Sequence, residues 1–469
     1  MSVRTRLGGV FFTVCGLTVL GLLLRLVAAR GDLWLDEIWS LSNLTRLHNI
    51  GEILWGLPNT NNHLLNSLWL WIVGAQPSPI IIRLESIVVG TLTIPVVAKF
   101  CGRHGPAAAV TGAALAAGAL IFVQYGSEAR GYAGLLLMIF VAAEVLEQFL
   151  EKPTFRTRLG FAGAVAIGAL FHLTMLMAAF TLVVATLIRM RASGHRLQDV
   201  IFAGLDLAIA FALGAFPALV LLAFSVLNSH LLFTGSLTPF SMSRLGHGLT
   251  TLYSATLGLP FDLPLPLAVG LCAALTAAAA AYVGRERAIL PLTCLLLIPV
   301  VAVLLHAANV QYARYDLIGV LGLVTLLSDV IAKMQSERRL LIIACLGFLV
   351  ALGNIVHVGQ LIALGRGNIE ALTARMSHDG DATFASNMPV ETWVSLHFYD
   401  RHGALTEIEP KDWCARPPDW FVLADRPDEE SPVGLFGPLE CRSRYDADMI
   451  VKTAPLSGLR LALYRRAAH

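Results

Sequence analysis

Asp36 and Glu37 stand side by side in the stretch GDLWLDEIWS, directly after a long apolar run. A carboxylate among tryptophans and leucines costs free energy unless water, a cation or a hydrogen-bond donor accompanies it. Two arginine–tyrosine pairs occupy comparable places, Arg130 with Tyr132 and Arg314 with Tyr315, each at the end of an apolar segment. A carboxylate can take a proton from a nucleophile, and a guanidinium can fork two donors onto phosphate oxygens. Together they are the parts for displacing a phosphate from an ester held at a membrane face. Phosphate leaves readily, so one carboxylate is enough, unlike the paired carboxyl groups of glycoside hydrolysis.

Each residue also has a plainer role open to it. Asp36 could cap a helix, since acids favour a first turn, and Glu37 could hydrogen-bond an acceptor or raise the pKa of Asp36 as a like charge. The Arg–Tyr pairs could be interfacial anchors, and Arg130 could bridge to Glu128. His63 and His172 fit either phosphate or acceptor contact or an ordinary hydrogen-bonded histidine. Asn62 and Glu128 are candidate acceptor contacts. Arg244, with His247, lies in a segment read as an outward loop over 227–262 that could close over a ligand or simply be solvated.

The elements that must position these groups are membrane spans. The 469 residues are 56% hydrophobic and only 14% charged, with a mean hydropathy of +0.69; a soluble domain carries about 25% charged residues. The run Leu7–Ala29 is long enough to cross a bilayer and too long for a signal-peptide core. Further spans are expected near 80–101, 106–125, 130–150, 158–171, 173–190, 199–226, 264–283, 288–306, 315–333 and 339–361. That makes about eleven, at about 20 residues each. The stretch 159–188 is long for one span and short for two, and is read as two short helices broken near His172, because a single span would turn the later basic clusters to the other side. With that break Arg4, Arg103, Lys152, Arg189, Arg285 and Lys333 fall on one side, which the positive-inside rule makes cytoplasmic. The candidate site residues fall on the opposite side.

The first outward segment, 31–79, should hold two interfacial helices. From Asp36, Ile38, Leu41, Leu44 and Leu47 recur at helical spacing beside polar residues, and HLLNSLWLWIVG from His63 is too short to span comfortably. Arg83 and Glu85 should hold this roof to the bundle. From 366 to 469 the chain becomes charged and Pro-rich, with strand-like runs at Trp420–Ala424, Met449–Ala454 and Leu459–Tyr464 and a helix over VETWVSLHFYDRHG. These predict a small α/β domain beside a 1–365 transmembrane domain. If that domain is periplasmic, its two cysteines, Cys414 and Cys441, should pair.

LDE at 35–37, NNH at 61–63, IRLESIVVGTLTIPVV at 82–97, YGSEARGYA at 125–133, FHLT at 171–174 and ARYDLIGVLGLV at 313–324 occur in this order. Together they resemble the GT-C glycosyltransferases, specifically bacterial relatives of protein O-mannosyltransferases and of the lipid A aminoarabinose transferase. The resemblance implies an all-α polytopic GT-C bundle. It would take a sugar from a polyprenyl phosphate donor and attach it to an acceptor hydroxyl on a lipid, glycan or protein. It implies Asp36 as catalytic base. The short loops and the Ala-, Leu- and Arg-rich sequence point to a bacterial inner membrane, and the loop charges put the N-terminus in the cytoplasm and the C-terminal domain in the periplasm.

No cofactor is expected and no nucleic-acid partner, since no basic tract occurs. Neither His-x-x-x-His nor Cys-x-x-Cys occurs, so metal independence is expected, although Asp36 and Glu37 could hold a divalent cation. A lipid-carrier or flippase function shares the hydrophobicity but should show internal repeats, and none is visible.

Overall fold

The computed structural model describes residues 3–55, 63–75, 77–229, 237–425, 435–436, 443–456 and 460–467. In chain order its helices are α1 (Val3–Ala28), α2 (Leu35–Leu44), α3 (Glu52–Trp55), α4 (Leu64–Val73), α5 (Pro79–Ile82), α6 (Leu84–Cys101), α7 (Pro106–Gly118), α8 (Leu120–Tyr125), α9 (Tyr132–Glu151), α10 (Phe155–Phe171), α11 (Met175–Ala192), α12 (Leu197–Ser229), α13 (Met242–Leu257), α14 (Leu265–Val283), α15 (Arg285–Leu305), α16 (Ile318–Ser336), α17 (Leu340–Leu364), α18 (Ile369–Met376) and α19 (Pro389–Tyr399). The strands are β1 (Ala382–Ser386), β2 (Leu405–Glu407), β3 (Trp420–Asp425), β4 (Leu435–Phe436), β5 (Ser443–Val451) and β6 (Arg460–Arg466).

Nine of the described helices are long and apolar enough to cross a membrane. The two remaining expected spans are present in other forms: α10 has 17 residues, and the pass expected over 106–125 is split into α7 and α8 at Ala119. A broken helix at membrane depth must satisfy its backbone ends from elsewhere. Here Arg25 of α1 donates to the Ala116 and Ala117 carbonyls at 2.8 and 3.4 Å, and Asn354 of α17 accepts from the Leu120 amide at 2.9 Å. The expected break near His172 is also present, with α10 ending at Phe171 and α11 starting at Met175.

The chain divides into two compact units, one of residues 1–27, 47–74 and 81–358 and one of 28–46, 75–80 and 359–469. In the first, α9 packs on α6, α10 and α11, and α16 on α7 and α15. The interior is small: α7 buries Ala108, Ala109, Gly112, Ala113 and Ala116. Many large apolar side chains face outward, as with Phe216 and Leu213 of α12 at 65% exposure. That inverted pattern suits lipid as the surrounding solvent, where close backbone approach drives helix association. A Cβ on Gly214 would sit 2.5 Å from the Ala162 carbonyl of α10.

One end of this unit gathers basic loops. Arg103 clamps Glu144 through Nε and Nη2 at 2.8 and 2.9 Å, Arg189 pairs with Glu147, and His104 pairs with the buried Asp329. Within the segment read as a loop over 227–262, Met242–Leu257 form the helix α13, and Ser241 caps it by accepting from the Arg244 amide at 3.2 Å. Its alternation of Leu245, Leu252 and Tyr253 buries one face.

The second unit contains the α/β layer. The sheet order is β2-β1-β3-β6-β5-β4, with β1 parallel to β2 and β3 and the other pairings antiparallel. β3, the run WFVLAD, is apolar from Trp420 to Ala424 as a central strand should be, and Phe421 and Leu423 form a core with Ala385 and Tyr445. The expected strands at 420, 449 and 459 correspond to β3, β5 and β6, and the expected helix is α19; β1, β2 and β4 are additional. Cys414 is disulfide-bonded, and its expected partner Cys441 lies outside the described residues. The helix α2 belongs to this unit and packs on α19.

Candidate active site

In the first unit the turn between α8 and α9, Gly126–Gly131, is buried throughout. Ser127 donates back to the Val123 carbonyl at 2.6 Å, and Ser86 of α6 donates to the Arg130 carbonyl at 3.1 Å. Gly131 has a specific reason to be glycine: a Cβ there would lie 1.9 Å from the Phe171 carbonyl oxygen. This close approach brings the Arg130 turn against the break between α10 and α11.

Arg130 donates from Nε to His63 Nε2 and from Nη2 to the Tyr132 hydroxyl, both at 3.1 Å. A guanidinium only donates, so His63 Nε2 accepts and its proton sits on Nδ1, which donates to the Phe171 carbonyl at 3.2 Å. The ring of His63 stacks on that of His172 at 4.7 Å between centroids. His172 Nδ1 accepts from the Thr174 amide at 3.2 Å, and Tyr132 lies 4.9 Å from the His172 ring and 4.8 Å from Tyr125.

Arg314 sits on a 3-10 turn, Ala313–Tyr315. Its guanidinium lies 4.4 Å from the Tyr312 ring centroid and 5.5 Å from that of Tyr315, within cation–π range. Burial, then the charges of Arg130 and Arg314, pushes His172 down to about 3. Burial first, and then Arg130 and His172, holds His63 well below its ordinary value. Both imidazoles are therefore neutral, and the cluster's positive charge resides on two arginines ringed by aromatic groups. Such a group can hold an oxyanion with charge-assisted donors while neutral His and Tyr groups shape the space around it.

The helix α4 is tied to its neighbours by Asn66, which donates to Glu85 at 3.1 Å, and by Trp69, whose indole donates to the Ile82 carbonyl at 3.0 Å. This is the role expected of Glu85.

Asp36 and Glu37 lie in the second unit, in the first turn of α2. Glu37 is fully buried, and its Oε2 accepts from the Trp34 amide at 3.1 Å, the reach-back half of a capping box. Asp36 is half-buried, and Ser40 donates to its carbonyl at 2.9 Å. The strand of chain leading to it is fixed on the C-terminal residues. Arg366 donates to the Ala28 carbonyl at 2.8 Å, the Glu370 amide donates to Asp32 at 2.7 Å, and the Leu33 amide donates to the Tyr399 hydroxyl at 2.7 Å.

The structure thus assembles His63, Arg130, Tyr132 and His172 with Arg314 as an electrostatic neighbour, and carries Asp36 and Glu37 on the other unit. Glu128 lies in the Arg130 turn. Arg244 is a half-buried residue of α13 whose guanidinium donates to the Pro239 carbonyl at 2.8 Å. Asn62 lies outside the described residues.

Sequence reasoning missed Tyr125, Tyr312, Arg25 and Asp316. Arg25 had a signal, a lone arginine inside an apolar run; its side chain packs where a Cβ on Gly126 would come within 2.4 Å of Nε, so it buttresses the turn that carries Arg130. Asp316 has both carboxyl oxygens buried with no hydrogen-bond partner among the described residues, and burial raises its pKa well above the ordinary value.

No family model and no curated protein matches the chain. Among solved structures it is similar to the crystal structure of ArnT from Cupriavidus metallidurans bound to undecaprenyl phosphate. That likeness has 14% sequence identity and a TM-score of 0.43, and covers 97% of this chain and 98% of the other.

Proposed function

We propose that the protein is an integral membrane glycosyltransferase that moves a sugar from a polyprenyl phosphate to an acceptor hydroxyl, at the membrane face opposite the basic loops. The observation that carries this reading is the buried cluster in which Arg130 is held by neutral His63 and Tyr132 and shares its electrostatic field with Arg314. An anion is the partner such a cluster suits, and a lipid-borne phosphate can reach it while its tail stays in the bilayer. The ordered GT-C-like motifs supply the sugar and the carrier.

In the proposed step Asp36 takes the acceptor hydroxyl proton. The acceptor oxygen then bonds to the anomeric carbon from the face opposite the phosphate. The carbon–oxygen bond to phosphate breaks with inversion, and the polyprenyl phosphate leaves as an anion met by Arg130 and Arg314. Glu37 holds the turn that presents Asp36. Tyr132, Tyr315, His63 and His172 shape the donor site, and no metal is required in this scheme because two guanidinium groups offset the phosphate charge.

The test is transfer of radiolabelled sugar from synthetic polyprenyl-phosphate sugars by purified protein, with a membrane extract supplying acceptors and Asp36→Asn beside the wild type. Label reaching an acceptor only with the wild type supports the reading. Donor binding without wild-type transfer to any acceptor would put a lipid-carrier function ahead. Equal transfer by both proteins would remove Asp36 as the base.

A further inference from the structure

Arg25 is fully buried in α1, and among the described residues no carboxylate pairs with it. Its hydrogen bonds all go to carbonyls: Nη1 donates to Gly21 at 2.9 Å and to Ala117 at 3.4 Å, and Nη2 donates to Ala116 at 2.8 Å. A guanidinium held away from water and from acids is costly. Nε, buried and without a hydrogen-bond partner among the described residues, adds to that cost. The bonds of Nη1 and Nη2 account for the far end of the side chain and leave the place of Nε and Cδ to be explained.

Nε and Cδ lie in a slot made of glycine. A Cβ on Gly126 would come within 2.4 Å of Nε and 3.0 Å of Cδ, and one on Gly90 of α6 within 3.0 Å of Nε and 2.8 Å of the Gly126 Cα. Arg25 and α6 therefore meet the first residue of the buried 126–131 turn in van der Waals contact, while the far end of the guanidinium is anchored on the carbonyls of α7. At the other end of the turn Gly131 abuts Phe171, where a Cβ would lie 1.9 Å from the carbonyl oxygen. Arg130 thus projects from a turn braced at both ends. A planar guanidinium tied to carbonyls is a stiff brace, stiffer than a flexible side chain of the same length with nothing to anchor its tip.

We propose that Arg25 is a positioning residue for the phosphate site: packed against Gly126 and anchored on α7, it fixes the 126–131 turn and with it the aim of Arg130 at the phosphate of a polyprenyl phosphate. Arg25 touches neither donor nor acceptor. The inference rests on the reading of Arg130 as a phosphate ligand, and it adds that Arg25 serves recognition of the phosphate and not of the polyprenyl chain. A charge-assisted hydrogen bond weakens steeply when its donor is misaimed, so a displaced turn costs affinity for the phosphate while contacts to the chain persist.

The experiment is equilibrium binding of polyprenyl phosphate, and of the corresponding polyprenol without phosphate, to the full-length protein in detergent. Wild type is compared with Arg130→Gln, Arg25→Gln and Gly90→Ala, the last of which crowds Gly126 with Arg25 still in place; circular dichroism establishes folding. Wild type should prefer the phosphate form, and Arg130→Gln should lose that preference. Arg25→Gln and Gly90→Ala should weaken binding of the phosphate form by about tenfold, equivalent to about 1.4 kcal/mol, and leave binding of polyprenol unchanged. Arg25→Gln decides where it folds, and Gly90→Ala otherwise. Wild-type affinity for the phosphate form in the deciding variant, or an equal loss for both ligands, overturns the positioning role and leaves Arg130 as the phosphate ligand. A wild type without preference for the phosphate form, or an Arg130→Gln variant that keeps it, overturns the reading of Arg130 and this inference with it.

Discussion

The Tyr399 hydroxyl accepts a 2.7 Å hydrogen bond from the amide of Leu33, three residues before Asp36 and 366 positions away along the chain. Leu33 leads into the first turn of α2, so the C-terminal helix α19 helps set the direction in which Asp36 is presented. A neutral hydrogen bond of this kind is worth about 1 kcal/mol, about a fivefold change in rate if it is lost only in the productive geometry. Tyr399→Phe should therefore lower kcat for sugar transfer severalfold with donor KM unchanged, while circular dichroism and the unfolding midpoint stay near wild type. A rise in KM with constant kcat would show that Tyr399 acts on binding and not on Asp36.

Arg314 faces two tyrosine rings, a setting in which a planar guanidinium and a lysine ammonium are not equivalent. Arg314→Lys should weaken binding of polyprenyl phosphate by about tenfold, the loss expected for a charge-assisted hydrogen bond of about 1.5 kcal/mol. Titration with polyprenyl phosphate in detergent measures it. Unchanged affinity would take Arg314 out of the phosphate site.

The two buried histidines give a pH dependence of known sign. Their folded pKa values lie below the ordinary 6.5, with His172 near 3, so the unfolded chain binds more protons through that interval. Their contribution to stability is present above 6.5 and is lost as pH falls from there toward 3. Unfolding midpoints should decline on acidification below about pH 6.5, less steeply in His172→Gln. Equal slopes in both proteins would contradict the burial of a neutral imidazole at this position.

Asp316 has the opposite sign. Its raised pKa means the folded state keeps a proton that the unfolded chain gives up near 3.8, so stability is lost as pH rises through the folded value. Asp316→Asn keeps the shape and removes that cost, and should raise the unfolding midpoint at pH 8. A lower midpoint would reveal an ionised Asp316 with a compensating partner.

Gly131→Ala places a methyl 1.9 Å from the Phe171 carbonyl oxygen, a backbone atom that cannot swing aside. It should cost several kcal/mol, on the order of an overpacked core site, and separate Arg130 from His63. Gly118→Ala has nothing within 4 Å and is the control, with an unfolding midpoint expected at or above wild type.

Hydropathy and loop charge are properties of short stretches, and they were enough to locate the apolar passes, the break near His172, the short amphipathic helix at Asp36 and three strands of the terminal sheet. Local pattern also marked Arg130, Arg314, His63 and His172 as residues out of keeping with lipid. Local pattern did not distinguish the partners of those residues. The split of the 106–125 pass depends on Arg25 and Asn354 satisfying its backbone ends from other helices, and no feature within 106–125 announces them. The burial of α13, read as a loop, depends on helices that receive its apolar face. In sequence Glu37 is a second acid beside Asp36, whereas in the fold its carboxylate accepts from the Trp34 amide. The association of residues 28–46 with 359–469 was likewise decided only in three dimensions, because three hydrogen bonds spanning more than 330 positions hold it and sequence spacing carries no trace of them.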